Sequence, residues 1–204
     1  MKSRALFLDR DGVINVDHGY VHRPDQCEFV DGIFDLCRRA RDLGYLIVVV
    51  TNQAGIGRGY YSEAAFHDLT TWMTRRFAAE GVAIAGTYFC PHHAERGIGQ
   101  YKRACERRKP NPGMLLDAAS EHAIELSVSA LIGDQESDVE AGLGAGLGLV
   151  LRLGEAVPTR AHASVATHAQ ALAILTGFCG KTDAGHRGAG IPPSSRYPRC
   201  EAAR

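Results

Sequence analysis

No stretch of this 204-residue chain comes near the roughly 20 successive apolar residues that a bilayer-spanning helix needs, and its first residues lack the apolar core of a signal peptide. A cytoplasmic protein is therefore the default expectation. Charge does not lean either way: 23 acidic and 23 basic residues cancel, with a pI near 7.1. Bulk electrostatics thus offers nothing to nucleic acid or to an anionic membrane surface. The six cysteines, at positions 27, 37, 90, 105, 179 and 200, are too scattered in a chain of this size to suggest a disulfide framework. Metal ligation is the livelier reading of any cluster among them. Internal repeats are also missing. What remains is an ordinary globular composition, 45% hydrophobic and 23% charged, enough for one well-buried domain with decoration.

The apolar run Leu6-Phe7-Leu8 ends abruptly in Asp9 and Asp11, followed by Gly12, which predicts a buried strand opening into a tight loop. Side chains two apart on an extended segment face the same way, so both carboxylates are expected beyond the strand's carboxyl end, where open α/β sheets bind ligands. Like charges that close call for a hard divalent cation, Mg²⁺ above all. Solvated loop aspartates are the ordinary alternative.

Residues 17–29 are polar and aperiodic, a loop or small flap over that strand end. Ile33, Leu36, Cys37, Ala40 and Leu43 recur at helical spacing, with Gly44 as the stop. Residues 45–50 form a β-branched apolar run, expected as a central parallel strand covered on both faces. It ends in Thr51-Asn52-Gln53, and a loop with Gly55, Gly57 and Gly59 follows. Ser62 is placed to cap a long helix with Phe66, Leu69, Met73 and Phe77 on one face, ended by Gly81. Next come a strand over 87–89, an irregular insertion over 90–108, and a helix with Asn111 as cap and Pro112 as its first residue. A strand over 130–133 ending at Asp134, a short helix and a strand over 149–151 complete the alternation. Residues 164–167 are expected as an edge strand, 169–175 as a last helix, and 177–204 as a flexible tail. One doubly wound, mostly parallel α/β domain over residues 1–176 follows.

In such a sheet the strand ends at Asp9, Thr51 and Asp134 gather on one edge, and the run Arg107-Arg108-Lys109-Pro110 adds fixed positive charge. Taken singly, Thr51-Asn52 reads equally well as a turn, Asp134 as a helix cap and the basic run as solvated surface. Their joint placement at successive strand ends is hard to obtain by chance.

Asp9-Arg10-Asp11-Gly12-Val13-Ile14-Asn15, Thr51-Asn52-Gln53, Lys109-Pro110 and Gly133-Asp134 with Asp138 resemble the motifs of the haloacid dehalogenase superfamily of phosphohydrolases. Segments 17–22, 49–53, 90–93 and 108–116 are similar to its branch that acts on sugar bisphosphates, and the likeness spans about residues 4–175. It implies a Rossmann-like domain without a large cap. It also implies a Mg²⁺-dependent phosphatase that takes one phosphate from a seven-carbon sugar bisphosphate through an aspartyl-phosphate, feeding lipopolysaccharide or another surface polysaccharide. A phosphatase of histidinol phosphate is the enzymatic rival. A non-catalytic binding module would be expected to have lost Asp9 or Asp11, and both are present.

At the matching positions the resemblance implies Asp9 as nucleophile and Asp11 as acid and base. Mg²⁺ would rest on Asp9, the backbone carbonyl of Asp11, and Asp134, with Thr51 and Lys109 steadying the phosphoryl oxygens. Asp17, His18, Gly19, Tyr20, Thr51, Asn52, Gln53, Ala54, Arg108, Lys109 and Gln135 would meet the rest of the substrate, Arg108 offering a fork to a second phosphate. Gln135 stands where the family often has lysine, which weakens one contact. Relatives hold a structural zinc with Cys-x-His and Cys-x-Cys. Here Cys90, His92 and Cys105 supply three ligands, but the fourth position is Arg107, whose guanidinium does not bind metal. His93 is the one nearby substitute. A weakly filled Zn²⁺ site and a metal-free loop are the two expectations. The partner implied is a small-molecule substrate bound by a monomer, with no nucleic acid or membrane.

Overall fold

Hydrophobic at every position after its first, Arg4–Leu8 (β1) is buried from Ala5 onward. A strand buried on both faces belongs in the middle of a parallel sheet covered by helices. The computed structural model, which describes residues 2–186, places it there. Tyr45–Asn52 (β2), Ile84–Cys90 (β3), Ala130–Gly133 (β4), Leu149–Leu153 (β5) and Ala163–Val165 (β6) join it in one sheet. The order is β3-β2-β1-β4-β5-β6, and every pairing is parallel.

Strand alternation sorts the core into two layers. Leu6 and Leu8 share one face with Ile47, Val49, Ile132 and Leu151. Ile33–Asp42 (α1), Glu63–Ala79 (α3) and His168–His186 (α6) cover that face with Leu36, Cys37, Leu69, Met73, Phe77, Ala171 and Leu175. Ala5 and Phe7 share the other with Val48, Val50, Leu131 and Val150. Gly113–Glu121 (α4) and Glu136–Gly144 (α5) cover it with Met114, Leu115, Ala118, Val139 and Ala141. Each fully buried Leu or Phe contributes about 1.5–3 kcal/mol. That burial, rather than propensity, holds helices of nine or ten residues such as α1, α4 and α5.

The order of strands locates the site. From β1 the chain steps outward to β2 and β3, then returns to lay β4 on the opposite flank of β1. The crevice past the carboxyl ends of β1 and β4 is the switch point where open α/β sheets take ligands.

The glycine loop after Gln53 contains a four-residue helix, Ala54–Gly57 (α2). Pro112 sits at the N-cap of α4 rather than inside it. The last helix does not stop at 175: α6 continues to His186, so residues 177–186 are helix and not tail. Gly177 and Gly180 weaken the local helical signal, but Cys179 is buried against the α1 side and Phe178 packs on the same cluster. Tertiary burial overrides the propensity. Residues 187–204 of the expected tail lie outside the described residues. Among those described, no helix is long and apolar enough to cross a membrane.

Candidate active site

β1 delivers Asp9 to the switch point on the Phe7 side of the sheet, where α4 and α5 pack. Its carboxylate meets Lys109 at 2.9 Å, and the same ammonium reaches Asp138 at 2.5 Å and donates to the Val50 carbonyl at 3.0 Å. All three N–H groups of Lys109 are thus engaged, in a pocket where the side chain is 2% exposed. Burial alone would push the ammonium down, but Asp9 and Asp138 outweigh it and hold it above the ordinary lysine range. Burial pushes the Asp9 carboxyl up to about 8, against the pull of Lys109 and with the help of Asp138 and Asp134.

Asp134 follows β4 directly. Oxygens of Asp9, Asp134 and Asp138 all lie within 4.8 Å of one another. Burial raises the Asp134 carboxyl. Its Oδ2 accepts from Gln135 at 2.7 Å, while its Oδ1 is buried with no hydrogen-bond partner. Hard, converging oxygens with one left unsatisfied are the donor set that Mg²⁺ takes. Asp138 is the least available of the three, since Lys109 and the Gln135 backbone N–H hold it. Gly12 makes the approach of Asp134 feasible. Its φ is +81°, and a Cβ there would lie 2.4 Å from Asp134 Oδ2.

Asp11 lines the same cleft, yet its carboxylate does not join the trio. The chain bends at Arg10 and turns at Gly12, so the extended alternation expected from residue 9 to residue 11 does not hold. Asp11 Oδ1 accepts from Arg10 at 2.9 Å and Asn15 at 3.0 Å, and Oδ2 accepts from Arg10 at 2.8 Å and Gln53 at 3.1 Å. Two carboxylates two residues apart therefore occupy different surroundings: one against an ammonium and a cation-ready trio, the other in a fan of hydrogen-bond donors.

Beyond them opens a cleft of about 420 Å³, within the size range of small-molecule sites. Asp17, Gly19, Tyr20, Thr51, Asn52, Ala54, Lys109 and Gln135 line it, as the resemblance implies. Asn52 ties the wall together by donating to the Lys109 carbonyl and accepting from its backbone N–H. Three expected residues are placed elsewhere. His18 turns outward to Glu28 at 3.0 Å. Gln53 lies beneath the wall, where its amide donates to Asp11 and Thr51 and its carbonyl accepts from the Tyr61 hydroxyl. Arg108 faces a neighbouring cavity and donates to the His92 carbonyl at 3.1 Å.

Arg58, Tyr61 and Ser137 line the cleft without having been anticipated. No pattern around Arg58 distinguishes it from a solvated loop arginine. Asp138 carried a signal, four residues after Asp134 and at a helix start, but its hold on Lys109 is a contact between distant segments.

In the loop over 90–108, ligand atoms of Cys90, His92 and Cys105 converge within 4.8 Å. Neither Arg107 nor His93 joins them. Arg107 pairs with Asp117 at 2.9 Å, and His93 Nδ1 accepts from the backbone N–H groups of Glu95 and Arg96. Burial pushes the Cys90 thiol up to about 11, which disfavours the thiolate a metal needs. Other bonds hold the loop: Ile98 N–H to the Gly57 carbonyl, His93 N–H to the Tyr101 carbonyl, and the Tyr101 hydroxyl to Glu63.

A parallel sheet with an aspartate after its central strand, a buried lysine beside it and acids after the next strand over defines the class of haloacid-dehalogenase-type hydrolases. A HAD-hydrolase-like family model matches residues 106–171. A D-glycero-alpha-D-manno-heptose-1,7-bisphosphate 7-phosphatase of Burkholderia mallei is 54% identical over 181 residues, 87% of this chain and 96% of that one. The corresponding beta-heptose enzyme of Vibrio cholerae is 48% identical over 165 residues, 80% and 89% of the two chains. The crystal structure of D,D-heptose 1,7-bisphosphate phosphatase from B. bronchiseptica with magnesium and phosphate superposes at a TM-score of 0.73, with 26% identity over 85% of this chain and 98% of that one. The chain belongs to the heptose-1,7-bisphosphate 7-phosphatase family of HAD-like hydrolases.

Proposed function

We propose that this protein removes the C7 phosphate of D-glycero-D-manno-heptose 1,7-bisphosphate, leaving heptose 1-phosphate, through an aspartyl-phosphate on Asp9. The observation that carries the reading is the separation of the two acids: Asp9 against Lys109 at the cleft floor, Asp11 in its own hydrogen-bond fan. Asp9 attacks phosphorus while Asp11 protonates the leaving sugar oxygen. Asp11, then a carboxylate, takes a proton from the water that hydrolyses the acyl phosphate. Arg10, Asn15 and Gln53 keep Asp11 aimed through both steps.

Mg²⁺, held by Asp9, Asp134 and the Asp11 backbone carbonyl, would supply positive charge that keeps Asp9 ionised and offsets the phosphoryl oxygens. Lys109 steadies the same oxygens. Its bond to Asp9 sets the ammonium beside the charge as it passes from carboxylate to phosphoryl group. Thr51, buried at the end of β2, bounds the pocket on the other side. The Cys90, His92 and Cys105 trio would hold zinc only weakly, below one equivalent, and the loop would stay folded after mild chelation because backbone bonds to Gly57 and within 93–101 hold it.

A phosphate-release screen tests the function. Heptose 1,7-bisphosphate, offered as both anomers, is expected to be strongly preferred over histidinol phosphate and simple sugar monophosphates. Equal rates on histidinol phosphate would establish the rival.

A further inference from the structure

Two cations line the cleft, and they differ in what they hold. Lys109 is buried and paired with Asp9 and Asp138. Arg58, just past α2, lines the same cleft and has no carboxylate partner among the described residues. Its guanidinium lies over the Tyr20 ring, 5.8 Å from the centroid, and donates to the Tyr20 hydroxyl. Its Nε is buried and without a partner. A guanidinium N–H shut away from water with no acceptor is uncommon unless a ligand supplies one. Tyr20 is 43% exposed and adopts a left-handed φ of 54°. It also meets Tyr60 edge-on at 4.7 Å, so Tyr20, on the strap over residues 17–29, is tied to both Tyr60 and Arg58 in the lining of the cleft.

Arg108, on the neighbouring cavity, donates to the His92 carbonyl at 3.1 Å. It too lacks a carboxylate among the described residues. Asp17, another acid in the lining of the cleft, has Oδ1 engaged by the Gly19 backbone N–H at 2.9 Å. Arg58 is thus a cleft-lining guanidinium with no carboxylate to neutralise it among the described residues, a fork suited to an anion of two negative charges.

We propose that Arg58 is the specificity-determining residue for the phosphate that is not cleaved, gripping it from the lining of the cleft, with Tyr20 as a positioning residue that presents the guanidinium. This rests on the bisphosphate reading above. A monophosphate engages only the floor, so it forgoes binding energy that the bisphosphate turns into rate as well as affinity.

The test compares kcat/KM for heptose 1,7-bisphosphate with that for heptose 7-phosphate in the wild type, Arg58→Gln, Arg58→Lys and Tyr20→Phe, all with Mg²⁺. Loss of a charge-assisted hydrogen-bonded grip should lower the bisphosphate-to-monophosphate ratio by about 10- to 100-fold in Arg58→Gln. Arg58→Lys should recover part of it, as a point charge without the fork. Tyr20→Phe should fall between the wild type and Arg58→Gln. If the wild type is selective and Arg58→Gln keeps its ratio, or loses both activities equally with no recovery in Arg58→Lys, the assignment of Arg58 is overturned while the function stands. A wild type with no preference for the bisphosphate overturns both.

Discussion

Replacing Lys109 with methionine keeps most of the side-chain stem and deletes only the charge, which isolates what the ammonium does. In the folded protein it lies 2.9 Å from Asp9 and 2.5 Å from Asp138, with Asp134 within 4.8 Å of both acids. Removing one partner of a buried pair leaves uncompensated charge and typically costs about 3–5 kcal/mol. Set against a total stability of about 5–15 kcal/mol, that is a large fraction. At a urea m-value near 2 kcal/mol/M it lowers the midpoint by about 1.5–2.5 M. The deficit should depend on pH in a defined sense. Without the ammonium the trio takes up protons more readily when folded than when unfolded, so the variant loses stability as pH rises and recovers it as pH falls. Urea unfolding of Lys109→Met and wild type at pH 5 and pH 8, in EDTA, reads both effects. A loss under about 1 kcal/mol at pH 8, or a loss no smaller at pH 5, would refute the view that Lys109 holds the acidic cluster together. Turnover should fall by about 10²–10³-fold in the same variant, as for loss of one preorganised donor to the reacting group.

Asp9→Asn should abolish turnover, and Asp11→Asn should slow it by about 10²–10⁴-fold with phosphoenzyme accumulating in acid-quenched samples; near-normal Asp9→Asn activity with Mg²⁺ present rules out the covalent route. Gly12→Ala should fold but bind Mg²⁺ more weakly by titration calorimetry, because its Cβ displaces Asp134 and its φ is left-handed. Since burial raises Asp9 from 3.8 to about 8, the folded state retains a proton that the unfolded state has lost across that window. Stability in EDTA should therefore decline from about pH 4 to pH 8, and Mg²⁺ affinity should climb with release of a proton; equal Mg²⁺ affinity at pH 6 and pH 8 would contradict this. Arg107→Cys should raise the zinc content measured by elemental analysis, while one tightly held zinc per wild-type chain, with loss of the loop on its removal, would show that three protein ligands suffice.

Local pattern was enough to find the frame. Apolar runs closed by Asp9, by Thr51 and by Gly133-Asp134 predict strands and the loops after them, since burial on both faces is visible residue by residue. Helical spacing from Ile33 to Ala40 and from Phe66 to Phe77 marks the faces that α1 and α3 bury, and the Ser62 cap is where it was expected. The end of α6 was not legible: Gly177 and Gly180 argue for a break, and the burial of Phe178 and Cys179 that overrides it depends on elements more than a hundred residues away.

Sequence alone therefore determined that this is a doubly wound α/β chain with carboxylates, a threonine and a lysine gathered past its strand ends, because hydrophobic period and strand breakers are properties of neighbouring residues. Tertiary structure decided which of those groups share a site. It put Asp9 with Asp134, Asp138 and Lys109 while the bend at Arg10 gave Asp11 different neighbours; it turned His18 to Glu28, Gln53 beneath the wall and Arg108 toward His92; and it brought Arg58 into the lining of the cleft. The Asp9–Lys109, Lys109–Asp138 and Asp11–Gln53 contacts join segments far apart in the chain, while the bend at Arg10 and the turn of His18 are local. They follow from the strand order and from turns of single residues, which a periodic pattern does not encode.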